Sequence, residues 1–253
     1  MQSDGKYLFE MKEYLESKGL RYDGEFMRHV SKRKNGKTFT FQEHVKGLIY
    51  TFISDQTKWV RIEPRLPQID ELFFNYDVEL IKSKSGDYFK EGIFALKCGS
   101  RKTSKQMAAL HHNIELMECL VRKYGSMDDF VTSDSAEKIV AMISKSGSDY
   151  KFGMIGEALG WEYLRNVGVD GIKPDTHIRR FFSCRRMGEG NNDPASIKEA
   201  LAQGNRLAEV TGLTKLEVDN IIWSYCADKY GEICISDPHC DKCVIYKYCK
   251  HNC

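Results

Sequence analysis

Residues 152–182 read FGMIGEALGWEYLRNVGVDGIKPDTHIRRFF, a stretch punctuated by glycines and one proline. Gly153 and Gly156 interrupt two segments whose apolar residues recur at helical spacing, so the sequence predicts helix, tight turn, helix. The glycines leave backbone N–H groups uncovered where the second helix starts. Amides and helix dipole there both favour an anion such as a DNA phosphate. From Gly-x-x-Gly alone an ordinary helix–helix corner is the preferred reading, so the context has to make the choice. Beyond the second helix stands Lys173-Pro174-Asp175-Thr176-His177-Ile178-Arg179, in which Asp175 is placed to cap the helix that follows.

Helical periodicity extends outward in both directions. Helices are expected over residues 6–18, 41–54, 102–124, 136–144, 156–167, 175–186, 195–204 and 214–230, with shorter ones within 58–73 and 88–97. Ser133, Asp134 or Ser135 can cap the helix over 136–144, and Asn191 to Pro194 reads as a loop. Residues 20–40 read as a basic loop, and only Thr38 to Thr40 resemble a strand. The expected class is therefore all-α.

The chain has 253 residues, 42% of them hydrophobic, enough for a sizeable core in one large domain or two modest lobes. No apolar run is long enough to span a bilayer, and the charged N-terminus lacks the pattern of a signal peptide. The expectation is an intracellular protein, cytoplasmic or nucleoid-associated (nuclear in a eukaryote), with no membrane partner. Net charge is only +2, but basic residues gather at Arg28 to Lys37, at Arg101, Lys102 and Lys105, at Arg179, Arg180, Arg185 and Arg186, and at Lys242, Lys247 and Lys250. Each cluster alone most simply solvates a face; several of them beside the two motifs point toward phosphate.

Nine cysteines in a reducing compartment argue against a disulfide framework. Cys98, Cys119, Cys184 and Cys226 are scattered, as small buried residues would be. Cys234, Cys240, Cys243 and Cys249 are crowded into one short loop and can converge on a metal centre. Four thiolates suit zinc or an iron–sulfur cluster, and spacing alone does not decide. Cys253 could replace Cys249, and His239 and His251 are conceivable zinc ligands that four cysteines make unnecessary.

Together the hairpin, the Asp175-Thr176-His177-Ile178 run and the cysteine loop resemble the helix-hairpin-helix DNA glycosylases of the endonuclease III superfamily. The likeness covers roughly residues 40–250 in order. It implies that Asp175 is the catalytic carboxylate, that Gln56 of Ser54-Asp55-Gln56-Thr57 enters the minor groove beside an extruded nucleotide, and that the cysteine loop carries a [4Fe-4S] cluster rather than zinc. Gly153, Ile155 and Gly156, with Thr176, His177, Ile178 and Arg179, would contact double-stranded DNA.

Two departures refine what is implied. The first cysteine gap is five residues where the family most often has six, a difference a loop absorbs. The position two residues after Gly156 is Ala158, where members that also cleave the strand carry a lysine. Hydrolysis of the base–sugar bond without strand cleavage is therefore expected. Thr51 stands where the adenine-excising branch has a glutamate, which argues against adenine. Of Tyr50, Phe52, Trp59, Tyr150, Phe152 and Trp161, one or two are expected to face a base and the rest to be core. The rivals are a lyase using Lys151 and a DNA-binding relative without chemistry. The expected architecture is a monomer of two helical lobes flanking a DNA-binding cleft, one at 38–165 and the other combining 1–37 with 166–253.

Overall fold

The computed structural model describes residues 5–20 and 25–251, and among them every regular element is helical. In chain order these are α1 Lys6–Ser17, α2 Glu25–Lys34, α3 Phe41–Ser54, α4 Trp59–Ile62, α5 Leu66–Leu72, α6 Val78–Lys82, α7 Gly86–Ala95 and α8 Thr103–Ala108. There follow α9 Leu110–Tyr124, α10 Met127–Thr132, α11 Ala136–Ser144, α12 Glu157–Asn166, α13 Thr176–Phe181, α14 Ile197–Thr211 and α15 Lys215–Cys226, with short 3-10 turns between some of them. The chain divides into two compact units, Ser31–Val169 and Met1–Val30 with Asp170–Cys253.

The unit of residues 31–169 is built around α3. Thr40 and Glu43 form a reciprocal cap at its start, the Glu43 amide donating to Thr40 Oγ1 (3.2 Å) and the Thr40 amide to Glu43 Oε2 (2.8 Å). From His44 to Ile53 nearly every side chain is buried, because other helices pack on several sides of it. α12 approaches most closely at Gly47, where a Cβ would stand 3.0 Å from Val167 Cγ1. Asn166 Nδ2 completes that contact by donating to the Gly47 carbonyl (3.0 Å) and Thr51 Oγ1 (3.1 Å). Thr51 is thus a fully buried packing residue.

A polar network lies inside this unit. Tyr163 and His44 Nδ1 are 2.7 Å apart, His44 Nε2 approaches Asp128 Oδ1 at 3.4 Å, and Arg33 reaches both Asp128 oxygens at 3.0 and 2.5 Å. Arg33 also donates to the Val167 carbonyl at the end of α12 (2.7 Å from Nη2). Burial by itself would raise the Asp128 carboxyl, but donors from His44, Arg33 and the Phe39 amide outweigh it and hold the group far below its ordinary value. Burial is likewise the main reason His44 is pushed below the usual histidine range.

In the other unit α1, α13 and α14 pack on α15. Leu8, Met11 and Leu15 of α1 join Ile178, Phe181, Phe182, Val218, Ile222 and Tyr225 in one core. The cysteine loop is tied to α1 by Tyr248, whose hydroxyl donates to Glu10 Oε1 (2.7 Å), and by Lys247 (3.1 Å to the same oxygen).

Several expected boundaries move. Residues 25–34, expected as a basic loop, are helical, with Lys32, Arg33 and Lys34 in the last turn, where the helix dipole favours cations. No strand forms at 38–40; Phe39 instead buries its ring and donates its amide to Asp128. The helix expected over 102–124 is two helices meeting at Ala109, and α10 was not foreseen. α13 stops at Phe181, where the chain turns back and the Met187 amide bonds to the Phe181 carbonyl (3.1 Å). α14 runs on to Thr211 and ends at Gly212, which adopts φ 72°. α15 ends at Cys226 rather than near 230.

Candidate functional site

Within residues 31–169 two turns carry the predicted DNA contacts. The first follows α3: Gln56 is exposed and sits at φ 62°, a left-handed conformation unusual for a side chain of its kind. Its neighbours hold it there. Gln106 Nε2 donates to Asp55 Oδ2 (3.0 Å), Lys102 pairs with Asp55 (3.0 Å), and Thr57 Oγ1 donates to the Cys98 carbonyl (3.3 Å). Arg101, in the turn before α8, and Lys105, on α8, are exposed.

The second turn is the Gly153 to Gly156 hairpin between α11 and α12, which pack on each other. Fully buried Asn113 of α9 grips Gly153 on both sides, accepting from its amide (2.6 Å) and donating to its carbonyl (3.0 Å). A Cβ on Gly153 would meet Ala109 Cβ at 3.0 Å and Asn113 Oδ1 at 3.3 Å, so only glycine seats there without displacing the clamp. Met154 turns the tip at φ 62°. Gly156 is exposed and α12 begins without a side-chain cap, which leaves first-turn amides for an external acceptor. Lys151 folds over the same turn, its ammonium donating to the carbonyls of Phe152 (2.6 Å) and Ile155. Burial lowers its pKa from the ordinary lysine value.

Both turns rest on consecutive helices, through Gln106 of α8 and through Ala109 and Asn113 at and beyond the junction with α9. Ile155 is buried, so any contact it makes to DNA comes from its backbone. Tyr50, Phe52, Phe152 and Trp161 are core residues, while Trp59 and Tyr150 are half-buried. A cavity of about 600 Å³ lined by Phe41, Val78, Glu118, Val121, Arg122 and Met127 contains none of the predicted site residues.

In the unit of residues 1–30 and 170–253, half-buried Asp175 caps α13. Its Oδ1 accepts from the amides of His177 (2.8 Å) and Ile178 (3.1 Å), and its Oδ2 accepts no hydrogen bond among the described residues. Thr176 is exposed. His177 is pushed below the usual histidine range chiefly by burial, against the pull of the Asp175 charge. Its Nδ1 lies 2.9 Å from Arg180 Nη2 and its ring meets Trp223 edge-on. Ile178 corrects the expectation of a DNA contact: its side chain is fully buried and its amide is spent on Asp175. Arg179 donates to the Ala195 carbonyl (2.7 Å) and so ties α13 to the segment before α14.

The cysteine loop joins α13 and the turn that follows it through arginines. Arg180 Nε donates to the Cys234 carbonyl (3.2 Å), and Arg186 reaches Cys234 Sγ (3.1 Å) and the carbonyls of Ile235 (2.8 Å) and Ser236 (3.0 Å). Both belong to the basic clusters whose concentration in the sequence points toward phosphate, and position alone does not reveal that these two point inward. Cys234 is lowered to about 6, first by its hydrogen bond with Cys226 and then by Arg186 and Arg180. Cys243 Sγ lies 3.5 Å from the Tyr225 hydroxyl and Cys249 Sγ 3.4 Å from the His251 amide. Cys249 is close enough to Cys234 and Cys243 for their charges to raise its pKa beyond the larger effect of burial. Cys240 is disulfide-bonded, and among the described residues no group of three or more His, Cys, Asp or Glu side chains is drawn together at metal-binding distance. Cys253 lies outside the described residues. Cys119, expected to be buried, is exposed.

Among the described residues no helix is long and apolar enough to cross a membrane. Comparison with protein-family models, with curated proteins and with solved structures finds no match to this chain.

Proposed function

We propose that the chain is a DNA glycosylase of the helix-hairpin-helix kind, hydrolysing the bond between deoxyribose and a damaged, mispaired or modified base in duplex DNA. The observation that carries the reading is Asp175: one oxygen is fixed by two helix amides while the other accepts no hydrogen bond among the described residues. Breaking an N-glycosidic bond builds positive charge on the sugar. A fixed carboxylate stabilises that charge, and its free oxygen can orient or deprotonate the attacking water. Gln56, on its braced turn, would fill the space of the extruded nucleotide, and the amides at the hairpin would hold a phosphate of the same duplex.

The strand is left intact. Ala158 has no amine, and the Lys151 ammonium is turned onto two carbonyls of its own hairpin. A [4Fe-4S] cluster fits the donor chemistry of Cys234, Cys243 and Cys249, whose sulfurs already face N–H or O–H donors; Cys240 would be the fourth ligand once its disulfide is reduced. Its role there is structural, holding the loop that Arg180 joins to α13 and Arg186 to the turn after it. Iron and acid-labile sulfide should be found in protein purified without air and should fall together in Cys243→Ser.

The test of the activity is a panel of labelled duplexes carrying alkylated, deaminated, oxidised and enzymatically modified bases, each resolved with and without hot alkali. Breaks seen only after alkali support the reading and name the base. Breaks without alkali, with a borohydride-trapped adduct, point to a lyase amine instead. Binding with no base release on any duplex favours a DNA-binding protein without chemistry.

A further inference from the structure

Lys151 folds over the Gly153 to Gly156 turn, and its geometry gives it a role of its own. Its ammonium carries three donors. Two are directed at the carbonyls of Phe152 and Ile155, the residues that bracket Gly153 and Met154. Among the described residues no carboxylate pairs with it. A surface lysine ordinarily holds its charge on a mobile four-carbon stem and loses side-chain entropy when it binds an anion. Here the stem is already folded down and half-buried, and the charge is held at the turn that also presents the uncapped start of α12.

We propose that the Lys151 ammonium is a built-in phosphate ligand of the hairpin, its third N–H and its charge joining the α12 amides on one DNA phosphate. The proposal rests on the glycosylase reading for the presence of DNA and adds a specific binding residue to it. The two carbonyls do more than hold the stem. Their dipoles offset part of the cost of keeping a cation half out of water, so the charge persists at the turn before DNA arrives. A pre-placed cation of this kind contributes to affinity for every sequence equally, since it touches backbone and no base edge.

The experiment measures equilibrium binding of the full-length protein to an undamaged duplex across a salt series, for wild type, Lys151→Gln and Lys151→Arg. A Gln amide can still donate to the hairpin carbonyls, and Arg retains the charge. Loss of one phosphate contact lowers the slope of log affinity against log salt by about 0.9. The expected result is that drop in Lys151→Gln and a restored slope in Lys151→Arg. An unchanged slope in Lys151→Gln overturns the proposal. So does equal weakening in both variants with a lowered melting temperature, which would make the side chain a packing element only. If those results come with base release by the wild type, the glycosylase reading survives without Lys151. If the wild type binds no duplex, the wider reading fails with it.

Discussion

Gln56 holds a backbone conformation that costs a non-glycine residue roughly 1–2 kcal/mol, and it does so with its side chain exposed. Among the described residues the Gln56 side chain makes no hydrogen bond; those that brace the turn are at Asp55 and Thr57 on either side. Strain kept at an exposed position by its neighbours fits a side chain retained for contact with a partner. Gln56→Gly should therefore be at least as stable as wild type, with a gain of up to about 1 kcal/mol in urea denaturation, while single-turnover base release slows. Loss of stability with unchanged release would assign Gln56 to the fold instead.

At the scale of elements, the hairpin is positioned from outside by Asn113. Removing that side chain leaves the Gly153 amide and carbonyl without their partner, so Asn113→Ala should cost roughly 1–3 kcal/mol and weaken duplex binding together with it. Urea denaturation and fluorescence anisotropy check the two effects. Asn113→Asp keeps an acceptor for the Gly153 amide and should recover part of the stability.

The sequence made α3 and α11 legible because their apolar spacing and Ser or Thr caps agree. It concealed α2, where the buried face is supplied partly by Arg33, whose guanidinium pairs with Asp128 and stacks on Phe39 (4.9 Å); a charged residue filling an inward position hides the periodicity. It also concealed the break at Ala109, since an alanine among good helix formers carries no stop signal. Asp175 and the two glycines were readable as a pattern. Asn113, Asp55 and Arg186 were not, because a positioning residue is identified only by what it touches.

At the scale of the whole molecule, pH acts through groups whose native pKa lies below the unfolded value. The native state then binds fewer protons than the unfolded chain, so stability rises with pH between the two values. His44 and His177 contribute fully above about pH 6.5, and their contribution is lost as pH falls through their lowered native values. The Asp128 contribution persists to lower pH and begins to fade only near pH 4. Urea midpoints should decline as pH falls below about 6.5, and His44→Gln should flatten the first part of that decline relative to wild type. A decline of the same steepness in His44→Gln would remove His44 from the account.

The central claim is that Asp175 acts on the sugar and does not merely cap α13, and one substitution separates the two. Asp175→Asn retains a side-chain oxygen for the His177 and Ile178 amides, so the cap survives. The decisive measurement is single-turnover release of the free base from the duplex that the wild type processes, comparing wild type with Asp175→Asn at matched melting temperature. Release should fall on the order of 10²–10³-fold in Asp175→Asn with duplex binding retained. Base release by Asp175→Asn at the wild-type rate would contradict the claim.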